Sequence, residues 1–440
     1  MAKNLYITTM EARSGKSLIS LGIMEFVSRR LHDIGFFRPI IPDVAIDNNI
    51  QLILKRYNLD LSYDEMYAFK HQEAQALVAD GKYDTLIKNI LAKYKALERK
   101  CDFILCEGTD YSGVSSAFEF DFNADVANNL GCPILVVMNG RGKPSAAIKD
   151  ALEVSRENFT DHGCTILATI VNRVNQQDFS GVAEQLKLEI SDLEPLYTIP
   201  EDPLLGKPTV GEIAAGLKSQ IIQSTAVESN REVLDSKVAA MHLPNFLERI
   251  QDGDLIITPG DRADIILGCL AASVSDTYPS ISGLLLTGGM TPDRQIKRLI
   301  EGFKAKSPLT IFSVNTDTYD TAMNVSNVRA ALSPENERKI ASALGLFETH
   351  VNVSELKDRM NVVRSSRVTP IMFEYELIER AKKRRQHIVL PEGEEERILR
   401  AGEILLRRNV ADLTLLGNPE TIHQKIGSLG LSLDNIQIID

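Results

Sequence analysis

Gly15, Lys16 and Ser17 have the residue types and the order that grip a phosphate. A glycine lets backbone N–H groups converge on the anion, a lysine reaches its outer oxygens, and a hydroxyl ligates magnesium. The complete pattern places another glycine at position 10, where this chain carries Met10, whose Cβ crowds the turn. The sequence therefore predicts a degenerate phosphate-binding loop, suited to holding an anion or a nucleotide such as ATP rather than to hydrolysing it. Arg38, Glu107 and Asn172 join this set because each follows or ends an apolar run, the place where parallel sheets collect ligands.

The elements that position these residues are legible as apolar runs. Residues 4–9 and 35–38 read as strands, and 102–106, 133–138 and 165–171 as buried strands. Between them lie helical patterns, such as the stripe Leu86, Ile87, Ile90, Leu91, Tyr94 and Leu97. Strand and helix alternating at this spacing imply a doubly wound parallel sheet over residues 1–219. A polar stretch at 220–231 reads as a linker. A smaller α/β unit occupies 232–331, with strands at 254–258, 283–287 and 309–314. Helical patterns over 332–385 read as a connector. From 386 a third α/β region opens: a buried strand at 387–390, a Pro-Glu-Gly loop, and a helix with Glu394, Glu395 and Glu396 in its first turn and Arg407 and Arg408 in its last. That sign order suits the helix dipole. A second strand at 411–416 and a helix from Glu420 follow, and an exposed apolar strand edge is expected near 436–439.

Composition narrows the function classes. The 440 residues are 44% hydrophobic and 25% charged, ordinary values for a soluble protein with two or three cores. A net charge of −11 argues against a nucleic-acid or anionic-membrane surface. No apolar run approaches the roughly 18 residues of a membrane span. The start leads straight into a strand without the pattern of a signal peptide, so a cytoplasmic location is expected. The five cysteines are scattered, as reduced core thiols are, and the seven histidines lack metal-ligand spacing.

The run His387-Ile-Val-Leu-Pro-Glu-Gly-Glu-Glu-Glu-Arg397, with Thr414-Leu-Leu-Gly-Asn-Pro-Glu420 behind it, resembles the opening of the phosphate acetyltransferase catalytic domain. Gly260-Asp-Arg-Ala-Asp264 with Leu284-Leu-Leu-Thr-Gly-Gly289 resembles the DRTGG module, and residues 1–219 resemble the P-loop fold of dethiobiotin synthetase. Modules in this order resemble the long-form phosphate acetyltransferases. The resemblance implies an acyltransferase acting on acetyl-CoA, acetyl phosphate and phosphate, in a homo-oligomer, with ATP or another nucleotide and magnesium as regulator. It implies that Glu107 joins Ser17 in holding magnesium and that Asn172 contacts a nucleotide base. Asp261 and Arg262 are implied at an effector site, or else act as a helix cap and a structural ion pair. In that family an aspartate base deprotonates the CoA thiol, with serine and arginine stabilising the developing charge. None of those catalytic groups has a counterpart in this sequence before Asp440, so they are expected beyond it. Two other readings stand beside this one: a non-catalytic nucleotide- or effector-binding regulator, and an ATP-dependent carboxylase or ligase, against which Met10 counts.

Overall fold

A computed structural model describes residues 3–109, 116–189, 194–303, 309–363, 365, 368–433 and 436–440. The first sheet is built from β1 (Lys3–Thr8), β2 (Ile34–Ile41), β3 (Tyr67–Lys70), β4 (Phe103–Glu107), β5 (Ile134–Asn139), β6 (Ile166–Val174) and β7 (Leu196–Pro200). They run parallel in the order β3-β2-β4-β1-β5-β6-β7. β2 and β4 are buried along their whole length, as apolar strands covered on both faces must be. One face carries the helices Lys16–Ser28 and Asn48–Arg56, which join Leu5 and Ile7 in one core. The other carries Tyr83–Glu98, Ser116–Leu130, Ser145–Asp161 and Phe179–Glu189. The connections after the neighbouring strands β1 and β4 thus leave to opposite faces, which opens a crevice at their carboxyl ends.

The helices at 332–385 are present, but they are not a free connector. Glu337–His350 lies on Lys16–Ser28, and Val353–Val362 lies against β6. Ile340, Ala343, Phe347 and Leu356 join the core that contains Leu167, Ile170 and Ile199. Tyr197 Oη donates to Glu355 at 2.9 Å, and Arg359 Nε donates to the Leu167 carbonyl at 3.1 Å. Pro370–Lys383 packs against Tyr83–Glu98, with Lys88–Glu374 at 2.8 Å and Arg99–Glu379 at 2.7 Å.

The second sheet contains β8 (Gln220–Gln223), β9 (Asp235–Val238), β10 (Asp254–Pro259), β11 (Gly283–Thr287) and β12 (Thr310–Ser313), in the order β8-β12-β11-β10-β9. All neighbours are parallel except β8, which runs antiparallel to β12. The stretch read as a linker is therefore structured: β8 and the short helix Ala226–Ser229 fall within it. Gln223 Nε2 donates to the Leu309 carbonyl at 3.2 Å, and Ile222 packs on the core. Two isoleucines between glutamines are enough for an edge strand with one wet face.

The third sheet is β13 (Gln386–Leu390), β14 (Ala411–Leu416) and β15 (Gln437–Ile439), parallel with β14 in the middle. Helices Glu396–Arg407 and Pro419–Ser428 enclose a small core of Leu399, Leu415, Ile422 and Leu433. Two expectations need correction. β13 is an edge strand, with Ile388 and Val389 40% and 53% exposed, not a buried one. The helix begins at Glu396 with Glu395 as its cap residue, so Glu394 stands outside the first turn. The apolar edge expected at the other side is there, at Ile439.

Candidate functional site

The crevice between β1 and β4 gathers most of the residues singled out in the sequence. Gly15 takes a left-handed backbone (φ 80°) and opens the Lys16–Ser28 helix. A Cβ on Gly15 would lie 2.3 Å from Asn172 Nδ2, so glycine is required there by both backbone and neighbour. Asn172, at the end of β6, donates that nitrogen to the Ser14 carbonyl at 2.9 Å and so fixes the loop. Met10 packs against the first core, where a glycine would leave the loop backbone open.

Lys16 is almost fully buried and its ammonium donates to two carbonyls beyond β4, Gly108 at 2.7 Å and Thr109 at 2.6 Å. Ser17 Oγ donates to Asn49 Oδ1 at 3.0 Å. Asn49 Nδ2 in turn donates to Glu107 Oε1 at 2.7 Å, while Ser20 Oγ donates to Glu107 Oε2. Glu107 has no solvent exposure, so it is not a surface carboxylate. Arg38 is buried beside it, with Nε 3.3 Å from Glu107 Oε1, out of line for a hydrogen bond. Its Nη1 makes a charge-assisted hydrogen bond to Asp47, whose other oxygen accepts from the Ile50 N–H at 2.9 Å and caps the Asn48–Arg56 helix. Two buried cations and two buried anions balance, so no net charge is left buried in the cluster.

This arrangement decides what the cluster offers a ligand. Magnesium asks for oxygen acceptors in near-octahedral array. Both Glu107 oxygens already take protein donors, and the Asn49 amide stands between Ser17 and Glu107 with its NH2 group toward the carboxylate. A magnesium ion between Ser17 and Glu107 would have to displace the Asn49 amide, and among the described residues no group of three His, Cys, Asp or Glu side chains is arranged for a metal. A phosphate in the loop would have to draw Lys16 away from two carbonyl oxygens.

Ser20, Asp47 and Asn49 complete the cluster and were not legible as members of it. Ser20 carried a signal: four residues after Lys16 and three after Ser17, it shares their helix face. Asp47 and Asn49 gave no signal. Asp261 and Arg262 lie in the second domain after β10. Arg262 binds Asp264 through Nε and Nη2, both at 2.9 Å, and the Met241 carbonyl at 2.9 Å. Hydrogen bonding to Arg262 holds the Asp264 carboxyl below its usual range. This geometry is that of a partly exposed ion pair at the start of the Ala263–Ser273 helix.

Residues 3–209 match the AAA domain family, residues 212–328 the DRTGG domain, and residues 372–440 the phosphate acetyl/butaryl transferase family. All of the chain aligns, at 44% identity, with the phosphate acetyltransferase of Nitratidesulfovibrio vulgaris and covers 63% of that protein. It also aligns over its full length, at 39% identity, with the phosphate acetyltransferase of Synechocystis sp. and covers 64% of it. The chain thus spans a little under two thirds of these curated relatives. It is also similar, at 18% identity and a TM-score of 0.23, to the CBS and DRTGG domains of the regulatory region of Clostridium perfringens pyrophosphatase complexed with its activator, diadenosine tetraphosphate, covering 44% of this chain and 73% of that one.

Proposed function

We propose that this chain serves a phosphate acetyltransferase, which moves an acetyl group between CoA and phosphate: acetyl-CoA and phosphate give acetyl phosphate and CoA. The observation that carries this reading is the 44% identity, over the entire chain, to a protein of that name. In the reaction the phosphate oxygen replaces the CoA sulfur on the acetyl carbon, and the departing thiolate takes up a proton. That chemistry calls for a group that protonates the departing thiolate, and takes the thiol proton as a base in the reverse direction, with fixed positive charge at the acyl oxygen. The described residues of 386–440 offer no such constellation, so we place the acyl-transfer groups in sequence outside these 440 residues, with this segment as the opening of their domain.

The first domain is then a positioning and regulatory body. Its loop cluster is a buried, charge-balanced network, which supports a role in holding the fold, or in binding an anion without turnover, over ATP hydrolysis. The proposal extends to a homo-oligomer working in the cytoplasm; among the described residues no helix is long and apolar enough to cross a membrane.

A chimera tests the reading. The segment of the Nitratidesulfovibrio relative that aligns with this chain is replaced by residues 1–440, and acetyl phosphate formation from acetyl-CoA is followed. A folded chimera with activity within about tenfold of the parent supports the proposal. A folded chimera without activity overturns it.

A further inference from the structure

We infer that the second domain carries a binding site for a phosphorylated polyhydroxy compound, of sugar-phosphate class, at the carboxyl end of β12. The topology singles this end out. After β11 the chain passes to the helix Arg294–Phe303, whose Ile296 and Ile300 belong to one core of the sheet. After the neighbouring strand β12 it passes to Thr318–Asn327, whose Val325 belongs to the other. Adjacent connections leaving to opposite faces are what open a ligand crevice in a parallel sheet.

A cavity of about 900 Å³ lies beside this crevice, on the β8 side of β12, between the end of β12, Gln220 of β8 and the helices Val210–Gly216 and Thr318–Asn327. This is the upper part of the size range of small-molecule sites, which run to roughly 1,000 Å³. Its wall includes Lys218, Asn315, Thr316, Asn324, Asn327 and Arg329. Neither Lys218 nor Arg329 makes a side-chain hydrogen bond or ion pair with another described residue. The helix end beside Lys218 does not need its ammonium either. The Ala215 and Ala214 carbonyls accept from the backbone N–H groups of Lys218 and Ser219, each at 3.0 Å.

The one carboxylate among the described residues of the wall is already neutralised. Glu212 Oε2 accepts from the Thr209 N–H at 2.7 Å and faces the buried Lys339 ammonium at 3.4 Å, and its Oε1 accepts from the Ala331 N–H at 3.0 Å. The cavity therefore presents net positive charge, which selects an anion. Amides and hydroxyls supply the rest of its polar lining and match a ligand rich in hydroxyl groups. Among the described residues no aromatic side chain lines it, so they offer no stacking platform for a nucleobase. The site is separate from the Lys16 cluster and from Asp261 and Arg262, and the inference does not rest on the acyltransferase reading.

Calorimetric titration of the full chain with ribose 5-phosphate, inorganic phosphate and AMP tests it, on the parent and on Lys218→Ala/Arg329→Ala. The expected result is ribose 5-phosphate binding with a dissociation constant below about 1 mM, weakened at least about tenfold in the double variant. Both side chains are exposed, so the variant is expected to keep its melting temperature within about 1 °C. A second variant, Asn327→Leu, should weaken ribose 5-phosphate while leaving inorganic phosphate unchanged. No binding of ribose 5-phosphate by the parent, or undiminished binding by a folded double variant, overturns the site. AMP binding about tenfold tighter than ribose 5-phosphate overturns the ligand class.

Discussion

Replacing Gly22 by alanine separates two physical effects of opposite sign. Gly22 lies inside the Lys16–Ser28 helix, where alanine on propensity alone stabilises by about 1 kcal/mol. A Cβ at that position, however, would lie 2.2 Å from Cγ of Phe347 and 2.5 Å from both Cδ atoms. These are the root of a ring that is 1% exposed, and not the end of a flexible chain, so the Glu337–His350 helix itself must move. Overpacking of that kind costs about 1–3 kcal/mol, and the net expectation is a loss of up to about 2 kcal/mol. At about 2–4 °C per kcal/mol for a domain of this size, the first melting transition of the full chain should fall by several degrees. Phe347→Ala should lose more, about 3–5 kcal/mol. The double variant should be less damaged than the sum, because the vacated ring space accepts the new methyl. Differential scanning calorimetry of the four proteins gives the cycle. A rise in melting temperature for Gly22→Ala would refute the packing of residues 337–350 on the first domain.

Three further outcomes follow from the same structure. Glu107→Ala leaves Arg38 buried without one of its two carboxylate neighbours, and a loss of about 3–5 kcal/mol in urea denaturation is expected; a change below about 1 kcal/mol would contradict a buried, charge-balanced network. Glu374 is held below its ordinary value by hydrogen bonds to Lys88 and then Arg408, so it contributes stability present above about pH 4.5 and lost as pH falls through its lower folded value. The melting-temperature difference between the parent and Glu374→Gln should therefore be steady from pH 7 to 5 and shrink in more acidic buffer; an acid-independent difference would remove the titration from the account. Burial pushes the Cys269 thiol up to about 12, and all five cysteines are free and buried. Its thiolate fraction at pH 8 is then about one in ten thousand, so the native chain should react slowly with a disulfide reagent and release five equivalents only on unfolding. One fast native thiol would contradict this.

How much of this was open to a reader of the sequence depends on burial. β1, β4, β5, β6, β10 and β11 are central strands covered on both faces, and the runs they require, such as Ile104-Leu105-Cys106 and Leu284-Leu285-Leu286, announce themselves. β3 and β8 are four-residue edge strands, half wet, and so carry no comparable run. β13 has the apolar run but sits at an edge, where apolarity and burial part company. In the loop cluster, Gly15, Lys16, Ser17, Glu107 and Asn172 were legible because each stands at a strand end or helix start. What was not legible is that Asn49 reaches in from another helix to bridge Ser17 and Glu107, a contact across 58 residues to Glu107 that no local pattern encodes. The packing of residues 337–362 on the first sheet was hidden for the same reason. Their apolar stripe was visible, and its partner was not.

The most direct measurement is CoA-dependent consumption of acetyl phosphate by the folded chain 1–440, with acetyl-CoA followed as the product. With the acyl-transfer groups outside these residues, as proposed above, no turnover above the uncatalysed rate is expected. Turnover by this chain alone would contradict that proposal and would place the chemistry among side chains assigned here to structure.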